Sequence, residues 1–143
     1  MVIAVDFDGT IVTHEYPNIG KEIPFAIDTL KRLQQSPDKL LVLWTVREGA
    51  ELEEAVQYCR DKGLEFYAVN KNYPEESREH PEPRKLKADL FIDDRNLGGL
   101  PDWGVIYRMI MTGKHLEPIT DEIQPEYKLP KKRGFFKSIF GLL

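Results

Sequence analysis

The chain has a single cysteine, Cys59, among its 143 residues. No intramolecular disulfide can form, so stability must come from a buried core, and a reducing, cytoplasmic location is the default expectation. Cys59 falls in a helical pattern and reads as a small packing residue or a surface thiol. No apolar run approaches the roughly 20 residues that a membrane-spanning helix needs. The N-terminus opens directly on a strand-like run and lacks a signal-peptide pattern. Excess basic charge is missing too: 20 Lys and Arg stand against 24 Asp and Glu, for a net charge of −4. That balance gives no strong signal for nucleic-acid binding. His14, His80 and His115 show no ligand spacing and are expected at the surface. There is no internal repeat and no low-complexity tract.

The apolar content is ordinary for a soluble globular protein, and the length suits one domain with a sizeable core. Val2-Ile3-Ala4-Val5 reads as a strand buried on both faces. Residues 11–20 hold Pro17, Asn18 and Gly20 and suggest a short hairpin flap. A helix is expected from about Glu22, with Pro24 in its first turn and Phe25, Ile27, Leu30 and Leu33 on one face, ending at Ser36-Pro37-Asp38. Residues 40–44 form a second apolar run. Residues 50–62 read as a helix with Leu52, Ala55, Val56 and Cys59 on one side and Gly63 as its stop. Residues 66–69 and 90–92 are the third and fourth strands, separated by a polar loop from Asn70 to Arg84. A last helix follows Pro101, carrying Trp103, Ile106, Tyr107 and Ile110. Trp44 and Trp103 are expected in the core. This alternation predicts an α/β fold, a three-layer α/β/α Rossmann-like parallel sheet.

In such a sheet, ligands bind beyond the carboxyl ends of the strands. Asp6, Asp8, Thr45, Asp93 and Asp94 all fall at those ends. Asp6 and Asp8 are two residues apart, so they project to one side of an extended backbone. Carboxylates crowded at a strand tip repel one another, and a bound cation relieves the repulsion. A metal site is therefore the first expectation.

Asp6-Phe7-Asp8-Gly9-Thr10 resembles the first motif of the haloacid dehalogenase superfamily, whose members are mostly phosphatases. Thr45 resembles its second motif, Lys85 in Lys85-Leu86-Lys87-Ala88-Asp89 its third, and Asp93-Asp94 its last. The resemblance spans Val2 to about Asn96. It implies that Asp6 is a nucleophile that forms an aspartyl-phosphate, and that Asp8 is the general acid and base. It further implies Mg²⁺ as cofactor, held by Asp6, the Asp8 carbonyl and Asp94, with Asp93 accepting from water or from the lysine. Thr45 would donate to a phosphoryl oxygen, and Lys85 would neutralise Asp6 and the substrate. Backbone N–H groups from Phe7 to Gly9 would complete a phosphate cradle.

Lys71 and Lys87 are alternative sources of the lysine charge. The fork of Arg47 suits a substrate oxyanion, or equally a neighbouring acid. Asn70, closing the third strand, is expected to line the site, and Arg95 to make a structural ion pair.

Neither interval between motifs has room for a separate cap domain. The expected organisation is a capless catalytic domain over residues 1–117 and an extension over 118–143. That extension ends in a basic-apolar tail, expected to pack on the domain or on a second copy in a homo-oligomer. The expected activity is Mg²⁺-dependent hydrolysis of a phosphomonoester whose organic part is not readable from sequence. The rival readings are a phosphoaspartate receiver domain and an inactive phosphate- or metal-binding protein.

Overall fold

The computed structural model describes residues 1–77, 79 and 85–119. His80, Arg84 and the basic-apolar tail lie outside the described residues, as does the 118–143 extension from residue 120 onward. The elements are β1 (Val2–Val5), α1 (Ala26–Gln34), β2 (Leu40–Leu43), α2 (Gly49–Asp61), β3 (Ala68–Val69), β4 (Leu90–Ile92) and α3 (Trp103–Met111). All strand pairs are parallel, in the order β3-β2-β1-β4, so the strand that carries Asp6 is central. The fold is α/β with a Rossmann-like parallel sheet, and no separate cap domain stands among the described residues.

The pleat sorts the strand residues between two faces. Ile3 and Val5, Leu41 and Leu43, and Ile92 face one core, together with Ile27, Leu30 and Leu33 of α1, Ala55 and Cys59 of α2, and Trp103, Ile106 and Ile110 of α3. Two successive right-handed crossovers running the same way along a sheet place their helices on the same side. The return from β3 to β4 passes β2 and β1 and covers the other face. There Ala4, Val42 and Ala68 pack under Leu86. Among the described residues this third layer is an irregular segment rather than a helix.

Two boundaries differ from the sequence expectation. Phe25 takes a left-handed conformation (φ 68°) and stands just before α1, which begins at Ala26. Pro24 therefore lies ahead of the helix, and Phe25 is 68% exposed rather than part of its buried stripe. The strand expected over 66–69 is regular only at Ala68–Val69. The α2 stop is as expected: Gly63 has φ 82°, its N–H bonds the Arg60 carbonyl, and the Leu64 N–H bonds the Cys59 carbonyl. That is the double capping bond of a Schellman ending. Cys59 is fully buried, and burial pushes its thiol up to about 12, which makes it a packing residue. No helix among the described residues is long and apolar enough to cross a membrane.

Candidate metal and phosphate site

The sheet ladder continues just past the strand ends. The Asp6 N–H bonds the Ile92 carbonyl (3.0 Å), the Trp44 N–H the Val5 carbonyl (2.8 Å) and the Asn70 N–H the Leu43 carbonyl (2.7 Å). These bonds hold the four strand tips in register where the candidate residues emerge. Asp6, Asp93 and Asp94 come together there, with one carboxylate oxygen from each lying within 4.8 Å of the others. Burial pushes the Asp6 carboxyl up to about 7. The Phe7 N–H and the Thr10 hydroxyl oppose that rise, and the neighbouring charges of Asp93 and Asp94 add to it.

Thr10 joins the two sides of this group, a role beyond those expected from the sequence. Its fully buried hydroxyl lies 3.2 Å from Asp6 Oδ2 and 3.4 Å from Asp94 Oδ1, and it accepts the Asp94 N–H at 3.1 Å. Its carbonyl accepts the Trp103 indole N–H (3.2 Å), which anchors α3 to the same turn. The signal was present, because a threonine closing an Asp-X-Asp-Gly turn can bond back to a strand-end carboxylate.

Gly9 serves a different purpose from the one expected. Its N–H is committed to the Val12 carbonyl (2.7 Å), so it is not a free donor for a phosphate cradle. The Phe7 N–H is likewise directed to the Asp6 carboxylate, and the Phe7 ring is core, edge-on to Tyr58 at 6.0 Å. Gly9 has φ 85°, and a Cβ there would overlap the Asp94 carboxylate, whose Cγ would lie 2.7 Å away. Only glycine lets the turn lie against Asp94. Gly9→Ala should therefore displace Asp94 at a stability cost of about 1–3 kcal/mol, read by denaturant unfolding. A loss under about 0.5 kcal/mol, the size of an ordinary surface substitution, would rule out this packing role.

Asp8 and Arg47 form the shortest and most buried ion pair among the described residues. Arg47 Nε and Nη2 each donate to one Asp8 oxygen, both at 2.7 Å, and the two side chains are 0% and 5% exposed. The remaining Arg47 donors go to the carbonyls of Pro17 (3.1 Å), Asn18 (2.8 Å) and Glu51 (3.3 Å). The guanidinium carbon also lies 5.1 Å from the Phe7 ring centroid and 5.2 Å from that of Tyr16. The bond to Asp8 raises the Arg47 pKa above its ordinary value. All five N–H groups are thereby used. Arg47 is not a substrate-binding residue in this arrangement; it pins the flap at Tyr16–Asn18 over the turn after β1. The Asp8 carboxylate accordingly faces Arg47 and is not part of the acidic group.

The other expected residues are placed as follows. Thr45 closes β2 half-buried; its N–H donates to Asn70 Oδ1 (2.9 Å) and its hydroxyl accepts the Arg47 N–H (3.2 Å). Asn70, in a left-handed conformation (φ 53°), thus ties two strand tips together through its side-chain oxygen. Lys85 is exposed, with its ammonium over the Phe91 ring, 5.6 Å from the centroid. Among the described residues it makes no ion pair with Asp6, Asp93 or Asp94. Asp93 Oδ1 accepts the Arg95 N–H (2.8 Å). Among the described residues the Arg95 side chain forms no ion pair of the kind expected; it meets His14 Nε2 on the flap at 3.0 Å.

A solved structure of a conserved protein from Bacteroides thetaiotaomicron is 61% identical to this chain, with a TM-score of 0.76. The match covers 83% of this chain and 98% of that one. The chain belongs to that protein's family. No family model matches the chain, and no curated protein matches it. Membership of this family carries the fold; activity must be argued from the site.

Proposed function

We propose that the protein is a phosphatase of the haloacid dehalogenase type that uses Asp6 as nucleophile and Mg²⁺ as cofactor. The observation that carries this reading is the meeting of Asp6 with Asp93 and Asp94. Carboxylates from two adjacent strand tips converge to within 4.8 Å, bridged by Thr10. Three hard oxygen donors suit Mg²⁺, and burial gives Asp6 a raised affinity for a proton that a cation would replace. Asp6, Asp93 and Asp94 would hold the ion, which would supply the positive charge that lets one anion approach another.

An ionised Asp6 oxygen would attack phosphorus as the ester P–O bond breaks, giving an aspartyl-phosphate and an alcohol whose oxygen takes its proton from a general acid or water. Water would then attack that phosphorus, releasing inorganic phosphate and regenerating the Asp6 carboxylate. Thr10 orients Asp6 by its hydrogen bond, and the Asn70–Thr45 bond fixes the neighbouring strand tip. Asp8 is suited to proton transfer by its place in the motif, but Arg47 occupies both of its oxygens. It reaches a leaving group only after parting from Arg47, whose other ligands are carbonyls of the flap and of α2.

That occupancy favours a second reading, a phosphoaspartate that forms and persists. Incubation with Mg²⁺ and p-nitrophenyl phosphate or acetyl phosphate separates the two. Steady release of phosphate, with a phosphorylated Asp6 trapped by borohydride, supports the phosphatase. Stoichiometric labelling without turnover supports the acceptor domain. Neither label nor turnover with a broad panel of phosphomonoesters would sink both.

A further inference from the structure

The proposed reaction leaves a question of charge. Three clustered carboxylates and a net charge of −4 repel a phosphate ester. Two of the cations expected to receive it, Arg47 and Lys85, are directed elsewhere. Arg47 has spent every donor on Asp8 and on carbonyls, and Lys85 lies on Phe91.

Arg95 is different. It directly follows Asp94, and its N–H is fixed to Asp93 Oδ1 at 2.8 Å, so its backbone is held to the acidic group. Its side chain crosses to the flap and meets His14 Nε2 at 3.0 Å. A guanidinium is always charged and never accepts, so in this contact Arg95 donates and His14 Nε2 carries no proton. Its positive charge therefore meets a neutral partner, and no carboxylate pairs with it among the described residues.

The loop after β4 and the flap are joined at two levels. Thr10–Asp94 is the buried floor, and His14–Arg95, exposed on both sides, is the rim. A substrate whose phosphoryl group sits at the floor would carry its organic part past the rim.

We propose that Arg95, held at the rim by His14, binds a second anionic group on the substrate, so that the preferred substrates are phosphomonoesters bearing a further negative charge. This rests on the phosphatase reading and names its substrate class. An incoming carboxylate or phosphate replaces the neutral His14 with a charge-assisted, fork-shaped pair of bonds. Arg95 is a specificity residue here; the chemistry remains with Asp6.

A matched pair of substrates tests it. 3-Phosphoglycerate carries a carboxylate where glycerol 3-phosphate carries a hydroxymethyl group. The native protein should prefer 3-phosphoglycerate about tenfold in kcat/KM, mostly through KM, as expected for one charge-assisted contact. Arg95→Ala should bring the ratio to about one, Arg95→Lys should keep part of it, and His14→Ala should keep most of it. A ratio unchanged in Arg95→Ala, or no preference in the native protein, would overturn the proposal.

Equilibrium binding of the same two compounds to Asp6→Asn protein, with and without Arg95→Ala, reads the contact independently of turnover. If neither these compounds nor the broad phosphomonoester panel is hydrolysed but the binding ratio still depends on Arg95, the phosphatase reading fails and the anion contact stands. If hydrolysis proceeds while the ratios ignore Arg95, the contact fails and the phosphatase stands.

Discussion

Replacing Arg47 with methionine should lower the free energy of unfolding by about 3–5 kcal/mol, the usual cost of leaving a buried charge without its partner. For a domain of this size that is a fall in melting temperature of roughly 10–20 °C. Methionine keeps much of the stem volume between Phe7 and Tyr16, so the loss reports the charge more than a cavity. Asp8 would be left 5% exposed with neither oxygen paired, and the carbonyls of Pro17, Asn18 and Glu51 would lose their donor. Amide exchange around residues 16–18 should quicken, because Arg47 is what holds those carbonyls down. Asp8→Asn alone should also destabilise. The double variant should be more stable than the sum of the single losses predicts, by an interaction energy of about 1–3 kcal/mol. Two single losses each under about 1 kcal/mol and strictly additive, the behaviour of an exposed pair, would refute the structural role of Arg47.

The same pair shows where sequence reasoning stopped. The strands and their order along the chain were legible because buried parallel strands are short apolar runs, and 2–5, 40–43 and 90–92 are such runs. Carboxylates closing β1 and β4 therefore fall at one sheet edge on the apolar pattern alone. Which acid meets which base depends on side-chain direction, and that was not legible. A two-residue spacing suggested that Asp6 and Asp8 share a side, which holds only while the backbone stays extended. The chain turns at Gly9, and the Phe7 carbonyl gathers the N–H groups of Thr10, Ile11 and Val12. Asp8 swings to Arg47, while Thr10 reaches back to Asp6 in its place. Arg47 offered two readings, an oxyanion or a neighbouring acid, and a partner 39 residues away decided it. Phe25 shows the same limit at a helix start. Its apolar side chain fitted the helical period, but its left-handed backbone puts it outside the helix.

On the proposed phosphatase reading Asp6→Asn should abolish turnover, with a loss of at least about a thousandfold, and the same substitution should change how stability depends on pH. In the metal-free protein Asp6 titrates near 7, against an ordinary value of 3.8 in the unfolded chain. Between those values the folded state binds a proton that the unfolded state has released. The stabilisation is complete below about pH 4 and is lost as pH rises through about 7. Because the carboxylate is partly exposed, solvent screening holds the amount to about 1–2 kcal/mol, below what the shift alone implies. Metal-free native protein should therefore lose melting temperature from pH 5 to pH 8 relative to Asp6→Asn. The difference between the two proteins isolates Asp6 from every other ionisable group of the chain. On the proposed reading Mg²⁺ should reverse the effect, since a cation held by Asp6 would compete with the proton for that carboxylate. Its affinity for the native protein should tighten with pH up to about 7 and then level, with proton release that calorimetry in buffers of different ionisation enthalpy can count. Asp6→Asn should bind Mg²⁺ more weakly and without that release. Parallel pH curves for the two proteins would mean that Asp6 carries no raised pKa.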